Sequence, residues 1–170
     1  MAARLLTRRR TLLMAAGVII LAGCQTVPRA PFSAAQREVL AKLGFHERDG
    51  NYLLGLESRL LFGFDSAVIE PAKQGMLHEL GRALAEVGIG SAAVEGHASA
   101  EGDAQYNLAL SGRRAEAVRD ALTVGGLVPE RMRVRAMGAL DPIASNDTEE
   151  GRRENRRVVI IVTPSDALGL

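Results

Sequence analysis

Chemistry-bearing side chains crowd into residues 96–115: His97, Ser99, Glu101, Asp103, Asn107 and Arg114. A guanidinium is a planar fork that holds a carboxylate through two parallel hydrogen bonds, and a carboxylate accepts from a cation. His97, Ser99 and Asp103 are also the residue types of a nucleophilic relay, in which a base activates a hydroxyl and a third group orients the base. Three such residues within one loop seldom reach that geometry. The pattern therefore favours holding a ligand over attacking one, with His97 a structural residue at a strand end. Three histidines (His46, His78, His97) and one cysteine show no metal-ligand spacing.

These residues need a strand, a loop and a helix to position them. Residues 92–96 are a short run that reads as a strand. Over 103–125, Ser111, Ala115, Val118 and Leu122 recur at helical spacing. The loop between carries glycines that let the chain fold back. Arg114 lies one turn after Leu110, at the edge of the apolar stripe. Helical side chains lean toward the N-terminus, so its guanidinium should aim back at the loop 96–102.

The flanking chain supplies the scaffold. Residues 59–64 read as a strand. Glu70-Pro71 opens a helix, with proline at a tolerated first position. Its expected buried stripe is Met76, Leu80, Leu84 and Val87, with Gly88 and Gly90 at its end. Pro129-Glu130 is a turn. Residues 131–137 alternate Met132, Val134 and Ala136 with three arginines, as in a half-buried strand. Residues 138–157 read as a long polar loop. Residues 158–162 are wholly β-branched, as in a strand buried on both faces. The order β-α-β-α-β-β predicts an α+β sandwich, with helices packed on one mixed β-sheet.

Ahead of that domain, Ser33 can cap a short helix whose apolar face is Ala35, Val39 and Leu43, stopped at Gly44. Asp49-Gly50 is a favoured two-residue hairpin turn. Residues 33–56 therefore read as a small element, either covering an edge of the main domain at 57–164 or moving as an arm. Residues 165–170 read as a tail.

Composition bounds the class. Hydrophobic residues make 47% of the chain and charged residues 24%, ordinary for a globular protein. The net charge of +1 falls to −3 without the four arginines ahead of Cys24 (Arg4, Arg8, Arg9, Arg10), which speaks against bulk binding to nucleic acid. Those arginines precede an apolar stretch at 12–21, shorter than the ~20 residues that a bilayer span needs. This is the layout of a secretory signal. Leu21-Ala22-Gly23-Cys24 resembles the lipobox of bacterial lipoproteins, and the single cysteine falls where such proteins are acylated. The resemblance implies a signal peptide at 1–23, acyl chains such as palmitate on Cys24, and a tether at 24–32. Several acyl chains hold a protein stably where one does not. Gln25 stands where these lipoproteins carry Asp for inner-membrane retention, which implies the outer membrane, facing the periplasm.

Three further segments resemble the OmpA-like domain. Leu61-Phe62-Gly63-Phe64-Asp65-Ser66-Ala67 is similar to its first strand. Gly96-His97, Tyr106-Asn107, Leu110-Ser111 and Arg113-Arg114-Ala115 are similar to its central signature. Pro142-Ile143-Ala144, Asn146, Gly151-Arg152 and Asn155-Arg156-Arg157 are similar to its closing one. Within the family, Leu43-Gly44-Phe45 and Gly50-Asn51-Tyr52-Leu53-Leu54-Gly55-Leu56 resemble the YfiB type of lipoprotein. The family resemblance implies binding of the peptidoglycan peptide stem through diaminopimelate, a residue with an ammonium group and carboxylates. It carries the family's arginine onto Arg114, its asparagine onto Asn107, its late arginine onto Arg157 and a polar cleft position onto Asp65. The arginine cluster at 152–157, interrupted by Glu154, then suits a loop closing on an anionic ligand.

One departure stands out. The family reads Gly-His-Thr-Asp where this chain reads Gly96-His97-Ala98-Ser99, so Ser99 replaces the carboxylate that takes the ammonium. A hydrogen bond to a charged group contributes about 1.5–3 kcal/mol, a neutral one about 0.5–1.5. Binding should be weaker unless Glu101, two residues along the loop, substitutes. Gly63 also stands where an acidic residue is common. Three functions follow from these readings: a non-enzymatic peptidoglycan anchor; a regulator that binds a YfiR-type periplasmic inhibitor and so modulates cyclic-di-GMP signalling; and, least favoured, a cell-wall hydrolase. No cofactor is expected.

Overall fold

The computed structural model describes residues 32–167; the signal segment, Cys24 and nearly all of the tether lie outside them. One five-stranded sheet organises the chain. Its strands are β1 (His46–Arg48), β2 (Asn51–Glu57), β3 (Ala93–His97), β4 (Arg133–Gly138) and β5 (Arg157–Val162), in the order β1-β2-β5-β3-β4. Only β3 and β4 run parallel. The sheet is mixed and the fold α+β, as the pattern predicts. β5 is its centre, antiparallel to β2 on one side and β3 on the other, which accounts for a run of β-branched residues buried on both faces.

Two long helices, α3 (Pro71–Glu86) and α4 (Ala104–Val124), pack on one face. Val94, Val158, Ile160 and Val162 meet Leu77, Leu80, Leu84, Ala115, Val118 and Leu122 in a single core. Pro71 sits at the first helical position of α3, and Asp103 caps α4 by accepting from the Tyr106 amide at 2.7 Å. Two close approaches depend on absent side chains. A Cβ on Gly96 would lie 1.9 Å from the Ser111 carbonyl oxygen, and one on Gly81 would lie 2.4 Å from that of Leu122. Glycine thus seats α4 against both the sheet and α3.

The sequence expectations need correction in several places. The stripe of α3 is Leu77, Leu80, Gly81 and Leu84, and Met76 is exposed. Residues 59–64 are not a strand: α2 (Ser58–Leu61) is one helical turn, followed by an isolated bridge from Phe62 to Ile69. The loop 138–157 contains a helix, α5 (Glu149–Asn155), capped by Thr148. Its acidic first turn and basic last turn oppose the helix dipole.

The N-terminal element covers the β5 edge of the sheet and does so as part of the sheet itself. Asp49 and Gly50 both adopt positive φ, and the hairpin closes on the predicted turn. Its second strand, β2, then pairs with β5 from Tyr52 to Glu57, so the boundary expected at residues 56–57 falls inside a strand of the main sheet. Ahead of it, α1 (Ala34–Lys42) has the predicted Ser33 cap, completed by Gln36 as a capping box. The buried face is Gln36 and Leu40 rather than Ala35 and Val39, because the Gln36 amide reaches across to the carbonyls of Val87 and Ala167. Phe32, expected in the tether, is buried edge-on against Tyr52. The described part of the expected C-terminal tail, residues 165–167, is also anchored. Asp166 is buried, accepting from Ser91 at 2.5 Å, from both ends of the Arg133 fork at 2.9 Å, and from the Thr163 amide at 2.8 Å.

Candidate functional site

A cleft of about 680 Å³ opens between the 62–65 turn, the 99–101 loop, the first turns of α4, and α5. Each wall has a local cause. The Phe62–Ile69 bridge closes a loop in which Asp65 takes a left-handed conformation, which aspartate tolerates better than most residues. Asn107 donates to the carbonyls of Ser99 at 3.3 Å and Glu101 at 2.7 Å, holding the second loop against α4. Asn146 accepts from the Ala100 amide at 3.0 Å, tying that loop to the segment ahead of α5.

Arg114 is the residue that this scaffold presents most directly. It is buried, with Nε donating to the Ser66 carbonyl at 2.8 Å and its guanidinium stacked 5.3 Å over the Phe62 ring. Burial pulls its pKa down from the ordinary value, but a guanidinium stays a cation. Its terminal nitrogens make no hydrogen bond among the described residues, and Arg114 lines the cleft with the Asp65 carboxylate as a neighbouring charge, a fork fixed at its base. The guanidinium is held by the 62–66 turn, at Ser66 and Phe62, rather than by the loop 96–102 toward which its helical position was expected to aim it.

Five of the six anticipated binding residues, Asp65, Ser99, Glu101, Asn107 and Arg114, line one cleft. Arg157 does not. It starts β5 and turns to the carbonyls of Asp141 at 3.0 Å and Asn155 at 3.4 Å, beneath the loop. Its neighbour Arg156 faces the cleft instead. Arg156 donates to Ser99 Oγ at 3.3 Å and to Glu149 at 2.7 Å. Glu101 lies 3.4 Å from Arg152 and 3.9 Å from Arg156, so the carboxylate expected to take a ligand cation already faces two cations of the chain.

Other lining residues escape sequence reasoning. Phe64 is fully exposed on the rim, and Tyr106 donates its hydroxyl to Asp65 at 2.6 Å. An aromatic at 64 followed by a turn is the available signal, since an exposed phenylalanine has no packing reason to be there. The three residues that could have formed a relay point elsewhere. His97 Nδ1 meets the Leu140 carbonyl at 3.2 Å, Ser99 Oγ meets Arg156, and Asp103 caps α4. Burial first, and then the Arg157 cation, hold the His97 imidazole below its usual pKa, so it stays neutral.

Comparison with known proteins places this arrangement. The OmpA family model matches residues 61–156. The outer-membrane lipoprotein YfiB of Pseudomonas aeruginosa is 42% identical over 146 residues, covering 85% of this chain and 87% of that protein. A peptidoglycan-associated lipoprotein of Brucella melitensis is 31% identical, covering 85% and 86% respectively. Among solved structures, the cell wall anchor of the T6SS from Pseudomonas aeruginosa superposes with a TM-score of 0.61 at 28% identity, over 76% of this chain and 94% of that one. The matched residues contain every lining residue of the cleft except Ser58 and Arg59, and by sequence and fold the chain belongs to the OmpA family.

Proposed function

We propose that this chain is an outer-membrane lipoprotein that binds the peptide stem of peptidoglycan non-covalently and so anchors the envelope to the wall. The observation that carries the reading is the Arg114 fork, fixed at Nε and making no hydrogen bond at its terminal nitrogens among the described residues, in the wall of a polar cleft. A stem peptide is rich in carboxylates, which that fork holds bidentately. The relatives named for the outer membrane and for peptidoglycan support the same reading. So does the lipobox at Cys24, whose acyl chains would hold the domain at the membrane facing the periplasm. The domain works by holding: Ser99 and His97 each have their own partner and do not meet as nucleophile and base. Co-sedimentation with purified sacculi tests the proposal. Arg114→Ala should weaken binding about 10- to 100-fold, the equivalent of one lost charge-assisted contact. Unchanged sedimentation of a folded Arg114→Ala would overturn it.

A second reading is compatible with the first. The likeness to YfiB covers 85% of the chain, so it reaches beyond the OmpA-family match at 61–156. That resemblance implies a regulator that engages a YfiR-type periplasmic protein and thereby modulates cyclic-di-GMP signalling. Co-expression with such a protein and co-purification on a tag tests it; failure to co-purify at micromolar concentrations would remove it.

A further inference from the structure

One part of the cleft lining carries polar groups that the chain itself leaves unused. Ser58 lines the cleft and is only 3% exposed, yet its hydroxyl has no hydrogen-bond partner among the described residues. Folded proteins seldom leave a buried hydroxyl unpaired. Its place is fixed: the Ser58 amide donates to the Arg156 carbonyl at 2.9 Å, which ties α2 to the junction of α5 and β5. Arg153, half-buried on α5, lines the same cleft. The neighbouring cations have acidic partners. Glu149 takes Arg156 at 2.7 Å and Arg152 at 2.9 Å, and Glu57 takes Arg59 at 2.6 Å. Arg153 makes no hydrogen bond and no ion pair among the described residues, although its charge reaches Glu57, the residue next to Ser58. A guanidinium can only donate, and a hydroxyl donates equally well. An unpaired cation beside an unpartnered hydroxyl therefore calls for an acceptor, and an anionic one is held best.

We infer that Ser58 and Arg153 form a second carboxylate subsite, separate from the Arg114 fork, so that the cleft grips two carboxylates of one peptide stem. This rests on the stem-binding reading above and narrows its ligand. A cleft of about 680 Å³ has room for more than one charged group of a ligand. In a stem whose glutamate is joined through its side-chain carboxyl, the α-carboxylate of that residue stays free, beside the carboxylates of diaminopimelate. Amidation of that α-carboxyl removes the charge and puts an N–H donor where Ser58 and Arg153 offer only donors. The subsite thus distinguishes an acidic stem from an amidated one and favours the acid.

Calorimetric titration of the full chain in detergent micelles tests this, using the tripeptide stem ending in meso-diaminopimelate with its glutamate α-carboxyl either free or amidated. The free acid should bind about tenfold more tightly, the equivalent of one charge-assisted contact. Arg153→Gln should weaken binding of the acid and bring the two affinities within about twofold of each other. Ser58→Ala should narrow the preference in the same direction, and serves if Arg153→Gln does not fold. Equal or tighter binding of the amidated stem by the wild type would overturn the inference while leaving stem binding intact. So would a folded Arg153→Gln that keeps the full preference. Binding of neither stem, together with loss of sacculus binding, would overturn the underlying reading and this inference with it. Binding of neither stem by a chain that still sediments with sacculi would overturn the inference alone.

Discussion

Asn155 grips the backbone of Ala144 from both sides: its Oδ1 accepts from the Ala144 amide at 3.1 Å, and its Nδ2 donates to the Ala144 carbonyl at 2.9 Å. The same side chain accepts from Ile143 at 2.8 Å and donates to Asn146 at 3.1 Å, so a single buried carboxamide fixes the segment that leads into α5. Asn155→Ala leaves those backbone groups without their partner. The expected cost is about 2–3 kcal/mol. Protection from hydrogen exchange should fall first at residues 143–146, and unchanged protection there would refute the assignment.

Gly96→Ala should damage the site from beneath. The added methyl would meet the Ser111 carbonyl of α4, a backbone group that cannot rotate away. Overpacking of this kind costs about 1–3 kcal/mol or more. Because α4 carries both Asn107 and Arg114, sacculus binding should fall along with the denaturation midpoint. A variant of wild-type stability would show that α4 is less tightly seated than the geometry requires.

Arg114→Lys should not rescue Arg114→Ala. Lysine is a point charge without the fork, and it cannot both donate to the Ser66 carbonyl and present two parallel donors to a ligand. Sacculus binding of the lysine variant within about threefold of wild type would argue that charge alone suffices.

Acid should weaken the fold in two stages. His97 is neutral when folded because burial lowers its pKa, while the unfolded chain titrates near 6.5. Its contribution is present above about pH 6.5 and is lost as pH falls toward the lowered folded value. Burial pushes the Asp166 carboxyl up, but the hydrogen bonds from Arg133, Ser91 and Thr163 more than offset this and hold it below the ordinary range. Its contribution is present above about pH 4 and is lost as pH drops through the depressed folded value. Chemical denaturation at stepped pH should show both stages, and Asp166→Asn should flatten only the lower one.

Deleting residues 33–56 should abolish folding rather than release an accessory arm. The deletion removes most of β2 and leaves one edge of β5, the central strand, without its partner. A soluble, cooperative truncated domain would contradict this.

The legible parts of the sequence were those set by local chemistry. Asp49-Gly50 specifies its turn, Ser33 and Pro71 mark helix starts, and residues 158–162 have a composition that only a doubly buried strand explains. Errors arose where tertiary contacts override local pattern. Leu60-Leu61-Phe62 is apolar enough for a strand, yet it forms a helical turn and one bridge. α5 has no apolar stripe to announce it, though Thr148 followed by two glutamates and later two arginines was a readable start and stop. Arg156 and Arg157 sit where a helix hands over to a strand, and sequence position alone does not say which of two adjacent side chains turns inward there.

Among the described residues, the central strand of the sheet is also the last in sequence order. A chain made from its N-terminus contains β2 and β3 before the strand that joins them, so neither has its shared partner until residues 157–162 follow. Pairings between such distant segments form late and slowly. Closure of the sheet therefore waits on one segment, 157–162, that must reach two partners from distant parts of the sequence.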